Sequence, residues 1–533
     1  MALRERFRGR AVADVLEVRA AESPQHPLVV CGPQRLTYGQ VNARAEALAA
    51  ALCELGIEAG DRVALNLPNW PEFLVSAFAA AKLGAVVVPL NPKFTTTELQ
   101  YMLRHSEAAV VVTAENWGGV DYLARFESFL ASLPDLQYVV SVGEEDLWYD
   151  DRVYQFEDLL SSGEGRGYPR AEVRPDEDVF AILYTSGTMG KPKGVALTHT
   201  SLLACAGVTA DVLGLRADDV VFGVSTLFNV FGLGPGMLGT VMAGAALVLY
   251  EGQDPARELE LIERERVSVL YGTPTSFIRQ LRELATRGRR LPGLRTGIVA
   301  GAPVPEDLVL QVTRELMPML HVVYGLTETG SAVCMTRADD PPAKQTTTVG
   351  RPVEEVELQV LDLDGSRLPL ESVGEVAVKG PGVMKGYYRQ PGETAQAFTP
   401  DGFFVTGDLG MIDEEGYLHI LGRRKEMIIR GGFNVYPREV EDRLHAHPAV
   451  LDVAIVGLPH EVLGETAVAC IVPVEGAIVT GEEIKEFCRE TLAEYKVPDI
   501  VRFLDSLPMT GSGKVRRIEL ARMISAEESS RRP

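Results

Sequence analysis

Helical patterns alternate with short apolar runs from Thr37 onward, and that alternation confines the chain to folds built on parallel sheets. The stretch TYGQVNARAEALAAALCELG opens with a Thr-x-x-Gln capping box, puts Val41, Ala45, Leu48, Leu52 and Leu55 at helical spacing and stops at Gly56. A short strand RVALNLP follows, then a helix to Leu83, then the buried strand AVVVPL; AAVVVTA, RVSVLYGTP and LRTGIVAGAP continue the pattern. After residue 349 short alternating runs, VELQVLD, GEVAVKG and GYLHILG, predict a β-rich subdomain. Beyond the charged GRRKEMIIRGG (422–432) a helix PREVEDRLHAH, strands DVAIVG and TAVACIVP, and a helix opened by Thr480 with Glu483 predict a further α/β unit. The expected class is therefore α/β. A large N-terminal domain of helix-flanked parallel sheets with a β-rich subdomain (1–424) precedes a small C-terminal α/β domain (425–533), and only the last several residues read as disordered.

Composition narrows the partners. A formal net charge of −22 repels phosphate backbones, which argues against nucleic-acid binding. The six cysteines show no CxxC pair and read as reduced thiols of a cytoplasmic protein. Two apolar stretches, Phe73 to Leu90 with Lys82 inside it and Gly232 to Tyr250 with no charge, approach the length of a membrane span. Lys82 interrupts the first. The second carries five glycines and Pro235 and ends in ALVLY, so it reads as a core helix followed by a strand, with no membrane span.

The densest chemical signal is YTSGTMGKPKGV (184–195), directly after the apolar run VFAIL. Glycines, hydroxyl residues and lysines after a strand suit a loop that surrounds phosphate oxygens with N–H, O–H and ammonium donors; the bland alternative is a flexible turn. The spacing is not that of GxxxxGK[ST], because Pro192 follows Lys191. Downstream, in order, stand the turn Gly301-Ala302-Pro303, YGLTETG (324–330), TGD (406–408), GRRKEMIIRGG and PMTGSGK (508–514).

These six ordered motifs, with TYGQVNARAEALA and AKLGAVVVPLNP near the start, resemble the adenylate-forming superfamily of acyl-CoA synthetases, peptide-synthetase adenylation domains and luciferases. The resemblance spans essentially the whole chain and implies ATP, Mg²⁺ and coenzyme A as cofactors and co-substrates. It assigns ATP or AMP binding to Thr185, Ser186, Gly187, Thr188, Gly190, Lys193, Gly301, Ala302, Pro303, Tyr324, Gly325, Thr327, Asp408, Arg423 and Lys514. Tyr324 offers a flat face for adenine, Asp408 acceptors for the ribose hydroxyls, and Thr327 a donor to phosphate. Glu328 would hold Mg²⁺ against the phosphates; without a metal, a carboxylate there would only repel ATP. Thr327, Glu328 and Lys514 are the expected catalytic residues, Lys514 being the cation that bridges the substrate carboxylate and the α-phosphate.

The same resemblance places the acyl group against Phe228, Asn229, Phe231, Gly232, Gly325 and Ser331, and a pantetheine tunnel at Gly431, Gly432 and Phe433. It makes the C-terminal domain mobile, with a hinge at Lys425; a solvated linker charge would look no different in sequence. Two departures stand out. Met189 replaces the usual hydroxyl residue of the phosphate loop, and Asn229 replaces a histidine that relatives use to gate the acyl site.

No GxSxG elbow is present, His445 and His447 are wrongly spaced for a helical metal pair, and His199 reads as a packing or turn residue. The expected activity is ATP-dependent adenylation of a carboxylic acid followed by thioester formation with coenzyme A, releasing AMP and pyrophosphate. The alternative is a stand-alone acyl-AMP ligase that loads a carrier protein. Phe-Asn-Val-Phe-Gly (228–232) offers no carboxylate to meet a substrate amine, which favours an aliphatic or aryl acid. Partners are thus the acid, ATP and coenzyme A. A homodimer and a lysine acyltransferase acting on Lys514, in its Pro-x₄-Gly-Lys setting, are further candidates.

Overall fold

The computed structural model describes residues 2–143, 151–185, 192–223, 226–288, 291–362, 364–460, 462–509 and 515–531. Two large sheets carry the N-terminal part. One has nine strands in the order Arg351–Pro352, Cys334–Met335, Leu320–Tyr324, Thr296–Val299, Val269–Gly272, Val220–Gly223, Ala246–Leu249, Pro27–Cys31 and Gln34–Thr37. Its neighbours from Leu320–Tyr324 through Pro27–Cys31 run parallel, with antiparallel strands at both edges. The other has eight strands, ordered Gly386–Tyr387, Lys193–Thr198, Val179–Thr185, Val86–Pro89, Arg62–Asn66, Ala108–Ala114, Tyr138–Val142 and Val153–Gln155. Its inner strands are parallel, and they are the apolar runs that buried parallel sheets require.

Helices Tyr38–Glu54, Pro71–Leu83 and His199–Val212 share one continuous core with strands of both sheets. The predicted capping box closes in both directions: Gln40 N–H donates to Thr37 Oγ1 and Thr37 N–H to Gln40 Oε1. The Thr480–Glu483 pair does the same at helix Gly481–Arg489. Helix Pro71–Leu83 is buried around nearly its whole circumference, which explains the span-like hydropathy, and Lys82 inside it pairs with Glu17 at 2.7 Å and Glu46 at 3.5 Å. The second apolar stretch is a π-helix Gly232–Leu238 containing Pro235, then helix Gly239–Ala243 and strand Ala246–Leu249. The expected core helix and strand are there, the helix taking the wide π form where Pro235 lacks an N–H to give. Among the described residues no helix is long and apolar enough to cross a membrane.

The β-rich segment is an antiparallel four-stranded sheet, Glu357–Leu361, Gly374–Lys379, Phe404–Ile412 and Leu418–Arg423. Beyond it a five-stranded sheet forms from Phe433–Val435, Ile428–Arg430, Gly464–Pro473, Val450–His460 and Ile500–Phe503. Its two buried clusters contain only residues from Ile428 to Ile524. Helix Arg517–Arg531 reaches into the last several residues, the ones expected to be disordered; Leu520 and Ile524 pack its first half onto that sheet.

Candidate active site

Tyr324, Asp408 and Arg423 meet at the end of a parallel strand, and open α/β sheets place ligands at the carboxyl ends of their strands. Tyr324 closes strand Leu320–Tyr324, and Gly301-Ala302-Pro303 follow strand Thr296–Val299, with Gly301 at φ +88°. The Tyr324 hydroxyl donates to Asp408 Oδ2 at 2.6 Å. Asp408, 5% exposed, lies opposite Arg423 in the antiparallel sheet, and Arg423 Nε meets its other oxygen at 2.7 Å. The backbone that carries the carboxylate is fixed as well, since the Asp408 main-chain N–H donates to Thr406 Oγ1. Burial and then the Asp408 charge push the Tyr324 phenol far above its ordinary range, so it stays protonated and donating. An ionised carboxylate is acceptor-only, the type of group that hydroxyls donate to.

The turn after Tyr324 is tight. A Cβ on Gly325 would lie 1.3 Å from the Ser331 carbonyl oxygen, and Ser331 itself sits at φ +118°, a conformation that L-residues rarely adopt. Val333 N–H donates back to the Tyr324 carbonyl at 2.8 Å and closes the loop. Gly325→Ala is therefore expected to cost roughly 1–3 kcal/mol of stability and to displace Ser331. Chemical denaturation checks it: an unchanged midpoint would contradict the close approach.

Within this turn, Thr327 and Glu328 stand on a short 3-10 helix Thr327–Thr329. Met384 N–H donates to the Glu328 carbonyl at 2.8 Å, and the Tyr387 hydroxyl to Glu328 Oε1 at 3.1 Å. Cys205, its thiol pushed up to about 12 by burial, packs behind with Sγ 3.4 Å from the Thr329 carbonyl. The donors Glu328 and Thr327 are hard oxygens, half-buried, the set that suits Mg²⁺ sharing its shell with phosphates and water. The residues present fit that ion.

The phosphate-loop motif bridges two hydrogen-bonded strands, with Thr185 paired to Lys193 at the mouth of the hairpin. Ser186, Gly187, Thr188, Met189 and Gly190 lie outside the described residues, as does Lys514. The stems are anchored by residues that sequence reasoning missed. Tyr101 donates to the Pro192 carbonyl at 3.1 Å, and the Tyr184 hydroxyl lies 2.8 Å from His105 Nδ1. Lys193 is in an ion pair with Glu393 and lies 4.7 Å over the Tyr387 ring, so its phosphate role would require it to exchange one anion for another. His199 packs at the start of its helix: Nδ1 accepts from Val12 N–H, and burial lowers its pKa to about 4.

Of the residues expected to face the acyl group, Phe228, Asn229 and Phe231 are partly buried and Gly232 opens the π-helix. Phe231 packs on Tyr271 with centroids 5.7 Å apart, and Asn229 Nδ2 donates to Thr226 Oγ1 at 2.7 Å. Asn229 thus fastens its own turn. Asn69, also missed, accepts from Leu227 N–H at 2.9 Å and donates to the Tyr250 carbonyl. Its signal was faint: one amide in a turn between a strand and a helix.

Gly431 and Gly432, at φ +58° and +86°, form the two-residue turn of the hairpin Ile428–Arg430 to Phe433–Val435, a geometry that glycines meet without strain. Phe433 is 57% exposed and stacks on Tyr495 at 4.8 Å. Asp499 takes Arg430 from below. These three candidates sit in the C-terminal sheet, whereas Tyr324, Asp408 and Arg423 lie on the nine-stranded and four-stranded sheets.

Fold and site together define an adenylate-forming enzyme, and the chain belongs to the AMP-binding enzyme family, whose main region matches residues 16–388 and whose C-terminal domain matches 439–514. Its relatives include acyl-CoA synthetases and ligases. It is 34% identical over 530 residues to the putative acyl-CoA synthetase YngI of Bacillus subtilis (strain 168), covering 96% of each chain. It is 36% identical over 507 residues to feruloyl-CoA synthase of Streptomyces sp, covering 95% of this chain and 97% of that one. The crystal structure of the anthranilate CoA ligase AuaEII in complex with anthranoyl-AMP superposes with a TM-score of 0.90 at 27% identity, over 98% of both chains.

Proposed function

We infer that this chain is an AMP-forming acyl-CoA synthetase, an acid–thiol ligase that uses ATP, Mg²⁺ and coenzyme A. The observation that carries the reading is Asp408, a buried carboxylate held on both oxygens by Tyr324 and Arg423 and set beside the Thr327–Glu328 turn. In the first half-reaction the substrate carboxylate attacks the α-phosphate of ATP. A P–O bond forms, the bond to the β-phosphate breaks, and pyrophosphate leaves. In the second, the thiolate of coenzyme A attacks the acyl carbon, and AMP departs with the electrons of the C–O bond. Mg²⁺ on Glu328 would offset the charge of the phosphates. Asp408 holds the ribose, Tyr324 lies against adenine, and Thr327, Thr185, Ser186, Gly187, Thr188, Gly190 and Lys193 surround the phosphates. Lys514 is the cation between the two anions of the first step.

The substrate is an aliphatic or aryl acid seated against Phe228, Asn229, Phe231, Gly232, Gly325 and Ser331. Pantetheine passes Gly431, Gly432 and Phe433. The unit 425–533 turns against 1–424 about Lys425. Two ion pairs support that hinge. Arg424 meets Glu375 of the antiparallel sheet at 2.5 Å, whereas Glu426 meets Arg517 of the C-terminal helix at 3.0 Å, so Lys425 stands between a residue tied to one unit and a residue tied to the other. The free cysteines among the described residues accord with the cytoplasm.

A panel of aliphatic and aryl acids with MgATP, followed for pyrophosphate release and thioester formation with coenzyme A or with a carrier protein, tests the assignment. Coenzyme A thioesters are expected. Adenylation with transfer to carrier protein alone would overturn the choice of acceptor.

A further inference from the structure

The residues around Glu328 carry one assignment beyond the motifs. Glu328 is gripped twice by the segment Met384–Tyr387: its carbonyl by Met384 N–H at 2.8 Å and its Oε1 by the Tyr387 hydroxyl at 3.1 Å. That segment is itself fixed in the eight-stranded sheet. Tyr387 pairs with Val195 on the strand that leaves the phosphate-loop motif, its N–H donates to Thr394 Oγ1 at 2.9 Å, and Tyr388 N–H donates to the Gly194 carbonyl at 2.7 Å. Lys193 lies 4.7 Å over the Tyr387 ring and pairs with Glu393 on the following helix.

We propose that Tyr387 is a positioning residue that aims the Glu328 carboxylate at the cation of the nucleotide and couples that carboxylate to the strand behind the phosphate loop. The inference rests on the reading of Glu328 as the Mg²⁺ ligand. A glutamate side chain turns about three bonds and loses much freedom when it binds one ion. With Oε1 occupied by a phenol on a fixed strand, the chain is already oriented, and Oε2 is left to the metal. Groups that orient a metal ligand in this way affect affinity by about 10–100-fold. Lys193 over the ring places a cation on the π face of the same tyrosine, so the phosphate-loop stem and the metal turn share one side chain.

The test is Tyr387→Phe, which keeps the ring and the surface under Lys193 and removes only the hydroxyl. The probe is Mn²⁺ with α,β-methylene-ATP, its affinity read from the electron paramagnetic resonance of free Mn²⁺, with no turnover. About tenfold weaker Mn²⁺ binding is expected, together with a higher Mg²⁺ requirement in pyrophosphate release that excess Mg²⁺ restores. Thioester formation from preformed acyl adenylate, which has no triphosphate to neutralise, should stay within about twofold of the parent. Glu328→Gln is measured beside it. Weak Mn²⁺ binding by Glu328→Gln with normal binding by Tyr387→Phe overturns the role of Tyr387 and leaves Glu328 as the ligand. Normal binding by Glu328→Gln overturns the reading on which the proposal rests. Equal losses by Tyr387→Phe in both half-reactions with a lowered melting temperature would make Tyr387 a structural residue, contrary to the proposal.

Discussion

Asp408→Asn is expected to lower kcat/KM for ATP by roughly 10²–10³-fold, the largest effect of any change to the nucleotide cluster. The carboxylate is an acceptor on all sides: Tyr324 donates at 2.6 Å to one oxygen and Arg423 at 2.7 Å to the other. An amide offers one acceptor and one NH₂ group, so either Tyr324 or Arg423 would face a donor. The charge that holds Arg423 in place would be lost as well. Burial works against the Arg423 charge, and its neighbours, Asp408 first among them, outweigh it and raise its pKa; Asp408→Asn removes the largest of those favourable contributions. Hydrogen bonds to charged groups contribute about 1.5–3 kcal/mol each, and two ribose hydroxyls would feel the loss. Equilibrium binding of AMP, measured alongside pyrophosphate exchange, separates nucleotide affinity from chemistry. Affinity within threefold of the parent would make the cluster a strut of the β-sheet and remove the ribose assignment.

That cluster also marks how far the sequence can be read. The helices and parallel strands are local statements, and local physics decides them: Thr37 with Gln40 and Thr480 with Glu483 close their boxes wherever the chain folds. Tyr324 and Asp408 are separated by 84 residues, and their bond depends on one sheet meeting another. Motif resemblance named both residues without showing that they touch. The same limit hid Tyr387 behind Glu328 and Glu393 beside Lys193, pairs brought together by the short edge strand Gly386–Tyr387 and the helix after it. The π-helix at Gly232–Leu238 was unreadable for another reason: its hydrophobic pattern is that of any buried helix, and a change of winding leaves no trace in apolar content. Asn69 was passed over because amides are common in turns, and only its two partners distinguish it.

Lys514→Ala should reduce adenylation by roughly 10²–10³-fold while thioester formation from preformed acyl adenylate proceeds almost unchanged. In the first half-reaction a carboxylate must approach a phosphate, and an ammonium between them lowers the repulsion; in the second the nucleophile meets a carbonyl and that need is gone. The residues that flank 510–514 are firmly held. Met509 bridges to Val515, Arg516 N–H donates to the Pro508 carbonyl, and Arg517 grips Glu441 at 2.5 and 2.9 Å and Glu426 at 3.0 Å. On the reading proposed above, a turn of unit 425–533 about Lys425 carries Lys514 to and from the nucleotide, and the ion pairs of Arg424 with Glu375 and of Glu426 with Arg517 support a bend between them. Acylation of Lys514 removes the same charge and should reproduce the alanine variant in both half-reactions. Equal losses in the two halves for Lys514→Ala, or full adenylation by stoichiometrically acylated protein, would refute a cation that serves one step and then withdraws.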